Sequence, residues 1–337
     1  MHVLVRRLRR DDEGVASTVG TLMALLVFLT FFGLIINQYV PVWMSESEAS
    51  HVNTALGQFG GLKGAIDLQN LEAQVGGSEY VPVTAASAVT LGVEGVPIFA
   101  VATIGTLSSD PDAGPFIVTF DYVIRTPSGA DFPTRVREQS NGTIVLDVRN
   151  RYHVPEAVAY VNGAVIRAQR DGQVVRAQPT FLVTETNRTL SIRFDLVSLY
   201  GRGGVTGTGS EVVNSRLFAT DLQVYDRFPN NGVVWINHTS PYGLAWYQFL
   251  NGTLADALKS LRPGGTFSST PLDQSFTARI GASVVYKITV SFIPTTDQYI
   301  TRLEIHNNPG VLALGKVRLR HAQVQIGVGD APENALK

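Results

Sequence analysis

The sequence contains no cysteine, which excludes disulfides, thiolate metal sites and cysteine nucleophiles. Charge is scarce as well. Asp, Glu, Lys and Arg make up 16% of residues, against about a quarter in ordinary globular domains. That argues against an acid-coated halophilic surface and against the ion-pair networks of many hyperthermophile proteins. Lys+Arg 27 and Asp+Glu 28 nearly cancel, for a net charge of -1. No global field draws in nucleic acid, and none is expected as a partner. Without disulfides the fold must rest on its own core, and 45% apolar residues suffice for that.

Recognisable chemistry is equally sparse. His2, His51, His153, His238, His306 and His321 have no histidine at i+3 or i+4, and no H-E-x-x-H is present. The nucleophile elbow G-x-S-x-G is missing. Gly201 to Gly209 is glycine-rich but contains no G-x-x-x-x-G-K-[ST], so it reads as a surface loop or inter-sheet linker rather than a phosphate cradle. Ser108 to Gly114 brings Asp110 and Asp112 close together without the further acidic ligand of a calcium loop, and reads as an exposed Pro/Asp turn. No catalytic residue, metal or cofactor is expected, and no enzymatic activity.

One feature dominates what is there. Val15 to Ile36 runs without a charge; as a helix it is about 33 Å long, enough to cross the hydrocarbon of a bilayer. Arg6, Arg7, Arg9 and Arg10 precede it, while Tyr39, Trp43, Glu46 and Glu48 follow. Basic residues stay cytoplasmic and aromatic rings favour the far interface, so the expected topology is N-terminus inside and the remainder outside. A buried core helix would carry a polar stripe. A secretory signal would have a shorter apolar region and a small-residue cleavage site. Membrane lipid is therefore an expected partner.

The organisation then reads in order. Residues 1–14 form a basic-then-acidic leader, and 15–40 a transmembrane or filament-core helix. Pro41 is expected to kink or end that helix, and Ser45 or Ser47 to cap a second one over 41–75. Val52, Leu56, Phe59, Leu62 and Ile66 mark its apolar face. From about Val81 the period changes to two. Phe116, Val118, Phe120, Tyr122 and Ile124 alternate with polar and smaller residues, as do Ile144–Val148, Leu190–Leu196 and Val284–Phe292. Asn162-Gly163 and Asp171-Gly172 predict a three-stranded meander, and Asn231-Gly232 another turn. The expected fold class is mainly β: an N-terminal helix followed by an extracellular antiparallel β-sandwich, one large unit or two in series. The two β-rich parts are set at 78–200 and 210–329, with Gly201–Gly209 between them. Ser240-Pro241 opens a helical insertion near 241–261, whose Trp246 and Phe249 are expected to plug the sheet's end.

Asn141-Gly142-Thr143, Asn187-Arg188-Thr189, Asn237-His238-Thr239 and Asn251-Gly252-Thr253 are N-x-T acceptors, all on the expected outer side. They are candidate glycosylation sites, with plain turn asparagines as the alternative.

Arg9-Arg10-Asp11-Asp12-Glu13-Gly14 followed by Val15-Ala16-Ser17-Thr18-Val19-Gly20-Thr21 resembles the processing region of archaeal pilin-like exported proteins. Asn150 to Pro155 running into Tyr160–Ile166, Gln173–Pro179, the Gly-rich stretch, and Ser240-Pro241-Tyr242 leading to Trp246 extend the likeness. The resemblance implies cleavage between Gly14 and Val15 by a pilin-type signal peptidase. It also implies self-association, or association with other pilin-like subunits, through the Val15–Ile36 helix. The expected role is a structural cell-surface protein of type IV pilin build, a filament subunit or minor pilin with a part in adhesion. The alternative is a single-pass anchored ectodomain for adhesion, glycan binding or envelope attachment that never enters a filament.

Overall fold

The computed structural model describes residues 2–96, 99–126 and 129–329, with side chains from Ala16 onward. Helix α1 (His2–Leu34) passes through a π segment (Ile35–Tyr39) into α2 (Val40–Gly76), and the axis is never interrupted. From His2 to Gly76 this single stem is about 110 Å long. Of the two outcomes expected for Pro41 the helix does not end there, and Ser45 and Ser47 lie inside α2 rather than capping it. The reason is local. Proline lacks an N–H and its ring presses on the carbonyl four residues back; the π segment widens the helix at that point, and the Val40 N–H reaches back to the Ile35 carbonyl.

The strands follow in order. They are β1 (Ala85–Thr90), β2 (Gly105–Asp110), β3 (Phe116–Arg125), β4 (Asp131–Ser140), β5 (Thr143–Val148) and β6 (Glu156–Val161). Next are β7 (Ala164–Gln169), β8 (Gly172–Ala177), β9 (Phe181–Thr186), β10 (Thr189–Tyr200), β11 (Gly203–Gly207), β12 (Ser210–Tyr225) and β13 (Val233–Ser240). Helix α3 (Gly243–Ala257) precedes β14 (Gly264–Ser269), β15 (Asp273–Ile280), β16 (Ser283–Ile293), β17 (Gln298–His306) and β18 (Ala313–Val328). They form three sheets, ordered β1-β12-β18-β10-β9, β11-β2-β5-β6-β7-β8, and β14-β15-β16-β17-β13-β3-β4. The mainly β, antiparallel fold behind one N-terminal helix is as the alternation predicts. Among the described strands β10–β18 is the one parallel pair.

That pair also rules out a division at Gly201–Gly209. Leu190 to Leu196 on β10 and Leu314 to Leu319 on β18 belong to one core, while Val197, Leu199, Ala322, Val324 and Ile326 on the same strands belong to another. Both halves of the chain contribute to both cores. The Gly-rich stretch is no linker: Gly203–Gly207 is β11, paired with β2.

The first core joins the seven-stranded sheet to α3, and the second surrounds α2. Val52, Phe59, Leu62 and Ile66 of α2 are fully buried and Leu56 partly so, against Leu107, Ile144, Leu146, Val158, Tyr160, Val213 and Val324. Strand β6 separates the two cores. Val158 and Tyr160 face α2, whereas Ala159 and Val161 face the other core, so its run of apolar residues is buried on both sides.

The β6–β7 turn is the one expected. Asn162 and Gly163 have φ 44° and 80°, as a type I′ hairpin requires. The β7–β8 turn is one residue earlier than expected, at Arg170-Asp171, because Gln169 pairs with Gly172. Helix α3 also begins later than Ser240-Pro241 suggests. Ser240 ends β13, and its Oγ accepts the Tyr242 N–H at 3.0 Å. Trp246 is fully buried against Phe116, ring centroids 4.4 Å apart, and Phe249 packs beside it. No face of the Trp246 ring is open to a ligand.

His238 lies in this core, stacked on Phe116 at 3.9 Å, with Nδ1 3.1 Å from the Pro115 carbonyl and Nε2 2.6 Å from Ser240 Oγ. Burial drives its pKa down to about 3, against a smaller upward pull from the Pro115 carbonyl. The folded protein therefore holds it neutral while the unfolded chain takes up a proton near pH 6.5. Its contribution is full above about pH 6.5 and falls as pH drops toward 3. We expect about 2 kcal/mol to be lost from this group between pH 7 and pH 5. Denaturant unfolding of the full chain in detergent at the two pH values checks this: His238→Gln should show a correspondingly shallower pH dependence, and an unchanged slope would refute it.

Candidate anchoring and docking site

The stem is the candidate functional surface, because its stretch from Ala16 to Phe31 is apolar and uncovered. From Ala16 onward it contains a stretch long and apolar enough to cross a membrane, none of it buried. Val19, Leu22, Met23, Leu25, Leu26, Val27, Phe28, Leu29 and Phe31 are 52–65% exposed. Cover begins at Phe32, Gly33 and Ile36, which are half-buried, and is complete at Val40 and Met44. Tyr39 and Trp43 stay exposed, ring centroids 6.0 Å apart. The Gly14–Val15 bond lies inside α1, and its surroundings fall outside the described side chains.

Above the aromatic pair the outward face of α2 is open, and its stretch from Ser47 to Gly64 carries a line of small residues. Ser47, Ser50, Thr54, Gly57, Gly61, Gly64, Leu68, Leu71 and Val75 recur at alternating steps of three and four, and all are exposed. A Cβ built on Gly57, Gly60, Gly61 or Gly64 meets nothing within 4 Å. Such a stripe permits close approach of another helix.

The inward face holds four polar groups among its apolar residues, Glu48, His51, Gln69 and Asn70, of which Glu48 is the one carboxylate. Glu48 stands four residues before Val52, on the apolar line of α2, and is completely buried. Its Oε1 accepts Thr103 Oγ1–H at 2.5 Å and the Arg151 N–H at 3.0 Å, and its Oε2 accepts the N–H groups of Tyr152 at 2.9 Å and His153 at 2.7 Å. Three successive backbone N–H groups curled around one carboxylate form an anion-binding nest. Burial raises the Glu48 pKa, but the Thr103 hydroxyl and the three amides outweigh it, so the net shift is downward.

The nest continues into a second buried carboxylate. His153 Nε2 lies 3.1 Å from Glu156 Oε1. Arg167 grips both Glu156 oxygens, Nε to Oε2 at 2.5 Å and Nη2 to Oε1 at 2.8 Å, and Gln169 Nε2 adds a bond at 2.7 Å. Burial pushes this carboxyl up, and the bonds from Arg167, Gln169 and His153 more than reverse it. The whole chain of contacts ties the stem to β6 and β7. Each carboxylate is saturated by its donors, and the arrangement acts as a clamp between stem and body.

Residues 134–290 match a family of unknown function, DUF7289. The matched segment runs from within β4 to within β16, so it takes in Glu156, Asn162 and Trp246 but neither the stem nor Glu48. No curated protein and no solved structure matches the chain.

The residues singled out by the sequence are scattered. Asn187 is exposed at the β9–β10 hairpin tip, φ 50°. Asn141 is half-buried, and its Oδ1 accepts Gln139 Nε2. Asn237 lies mid-strand in β13 with Oδ1 on Arg302 Nε, and Asn251 lies in α3 with Oδ1 on the Tyr286 hydroxyl. Asp110 and Asp112 share Arg202, at 2.9 and 2.6 Å, a cation supplied by the Gly-rich stretch. Among the described residues no three His, Asp or Glu side chains gather as a metal site. Sequence reasoning misses Glu48 and Glu156. Glu48 is findable, as a lone charge in register with an apolar stripe; Glu156 carries no comparable signal.

Glu48→Gln removes the charge and turns an amide donor toward three N–H donors. We expect about 3 kcal/mol of destabilisation. Faster hydrogen exchange should appear in α2 and in residues 149–155. Because the folded pKa is depressed, the wild-type contribution holds above about pH 4.5 and is lost as pH falls through the folded value. Equal exchange in the variant and wild type would refute the clamp.

Proposed function

We propose that this chain is a structural cell-surface protein, held in the membrane by α1 and presenting its β body outside the cell. The observation that carries the reading is the contrast along one continuous helix: an uncovered apolar stretch from Ala16 to Phe31 and an upper part clamped into the body. A free-standing apolar rod of this length needs lipid or other helices around it. The arginines before the run favour a cytoplasmic N-terminus.

Within that reading we favour assembly over permanent isolation. The small-residue stripe on α2 continues above the apolar run, so neighbouring stems have a surface along which to pack once they leave lipid. The resemblance around Gly14–Val15 to pilin-like processing regions supports the same view. A surface adhesion role goes with either state, and no catalysis is proposed.

The N-terminal residue and intact mass of the protein from native membranes, compared with sheared surface material, test this. The expected result is a chain beginning at Val15 and present in sheared filaments. A chain retaining its charged leader and found only in detergent extracts would leave a single-pass anchored ectodomain instead. If the body is exported and glycosylated, Asn187 is the favoured acceptor, because its hairpin tip is free to enter an enzyme. Asn187→Gln should remove one glycan mass and Asn237→Gln none; the reverse pattern would contradict this assignment.

A further inference from the structure

Between β1 and β2 the chain leaves the sheets as a hairpin, closed by the Val93–Thr103 bridge. Among its described residues, the Phe99 and Ala100 N–H groups both donate to the Val96 carbonyl, at 3.0 and 2.9 Å. From Leu91 to Ile104 the sequence carries a single charge, Glu94. The Phe99 ring lies against Phe32 of the stem, centroids 5.8 Å apart. Phe32 sits one helical turn inside the end of the apolar run Val15–Ile36, so whatever touches it stands at hydrocarbon depth when α1 spans a bilayer.

The same side of the hairpin borders an open groove of about 410 Å³ lined by Val101, Ala102, Ile104, Thr206, Arg149 and Arg151. Val101 and Ile104 are 64% and 51% exposed, so the groove's border is apolar and open. Arg149 meets Asp147 only at 3.9 Å, with 88% of its side chain exposed. Thr103 and the Arg151 N–H both bind Glu48, so the base of the hairpin and the loop carrying the arginines are fixed to one point of the stem, while Phe99 reaches down to Phe32.

We propose that this face is a second membrane contact: the Phe99–Ile104 arm of the hairpin enters the outer leaflet beside α1, and Arg149 and Arg151 bind the phosphates of anionic lipid headgroups. An apolar arm flanked by cations suits an interface with hydrocarbon below and phosphate above, and guanidinium matches phosphate oxygens in pairs. The proposal rests on the anchored state of the reading above, which both the filament and the isolated forms pass through. Its consequence is that the β body is seated on the membrane in one orientation rather than swinging on its stem.

The absence of cysteine makes the test clean. Single spin labels at Val101→Cys, at Leu25→Cys in the span and at Phe267→Cys on the edge strand β14 are placed in the full chain. Each is reconstituted in phosphatidylglycerol or phosphatidylcholine vesicles, and relaxation by oxygen is compared with relaxation by a water-soluble nickel chelate. The expected oxygen-to-nickel ratio at Val101 is several-fold above that at Phe267, more so in phosphatidylglycerol. Arg149→Gln with Arg151→Gln should weaken docking in phosphatidylglycerol by about fivefold per arginine; an unchanged ratio there overturns the role of the arginines. A lipid-facing Leu25 with a water-facing Val101 overturns the docking while leaving the anchor. A water-facing Leu25 overturns both. If Val101 is shielded from both reagents and its spectrum is dipolar-broadened, a second copy of the chain covers the face and lipid does not.

Discussion

Helix α2 must bury a stripe of large side chains and, on the same line, one carboxylate. Val52, Phe59, Leu62 and Ile66 leave water completely, a gross gain of about 8 kcal/mol. An unpaired Glu48 would consume several kcal/mol of that. The two terms have the same size, so the helix seats only if the carboxylate finds donors. Thr103 and the three amides of Arg151–His153 provide them. Seating the helix therefore fixes the β5–β6 loop and the β1–β2 hairpin in the same step.

The remaining architecture follows from closing a body around that helix. The sheets containing β12 and β6 cover it from two sides, and β6 turns its larger residues to α2 and its smaller ones to the second core. Long strands β10 and β18 pass from one core to the other, so movement of the stem cannot be decoupled from the distal core. Asn162 adds a point of coupling: its Oδ1 accepts both Ser140 Oγ–H and the Val197 N–H at 2.8 Å, which binds β4, the β6–β7 turn and β10 together.

Function, on this reading, comes from the asymmetry of the stem. One face is clamped to the body and the other is left with hydroxyls, glycines and a few apolar residues. Two buried carboxylates tie the stem to the body through their hydrogen bonds.

Alternation and turn chemistry make much of the β body legible in the amino-acid sequence. Phe116, Val118 and Phe120, then Leu190 to Leu196, are buried as period two requires, and Asn162-Gly163 turns where only such residues turn easily. The long apolar run and the amphipathic face of α2 are equally legible, because hydrophobic periodicity is a local property of the chain. Pairing between distant segments is not local. Nothing in Thr189–Tyr200 specifies a parallel neighbour more than a hundred residues later, and nothing in Gly203–Gly207 separates a glycine-rich edge strand from a linker. The helix does not end at Pro41 because the rule for proline assumes α-helical spacing, and the π segment relaxes it. The sequence by itself determined which residues leave water and where the chain turns, since those depend on side-chain polarity and backbone sterics. Only the tertiary structure decided that Glu48 is captured by three amides and that Phe99 reaches Phe32, since those contacts join elements with no sequence relation to one another.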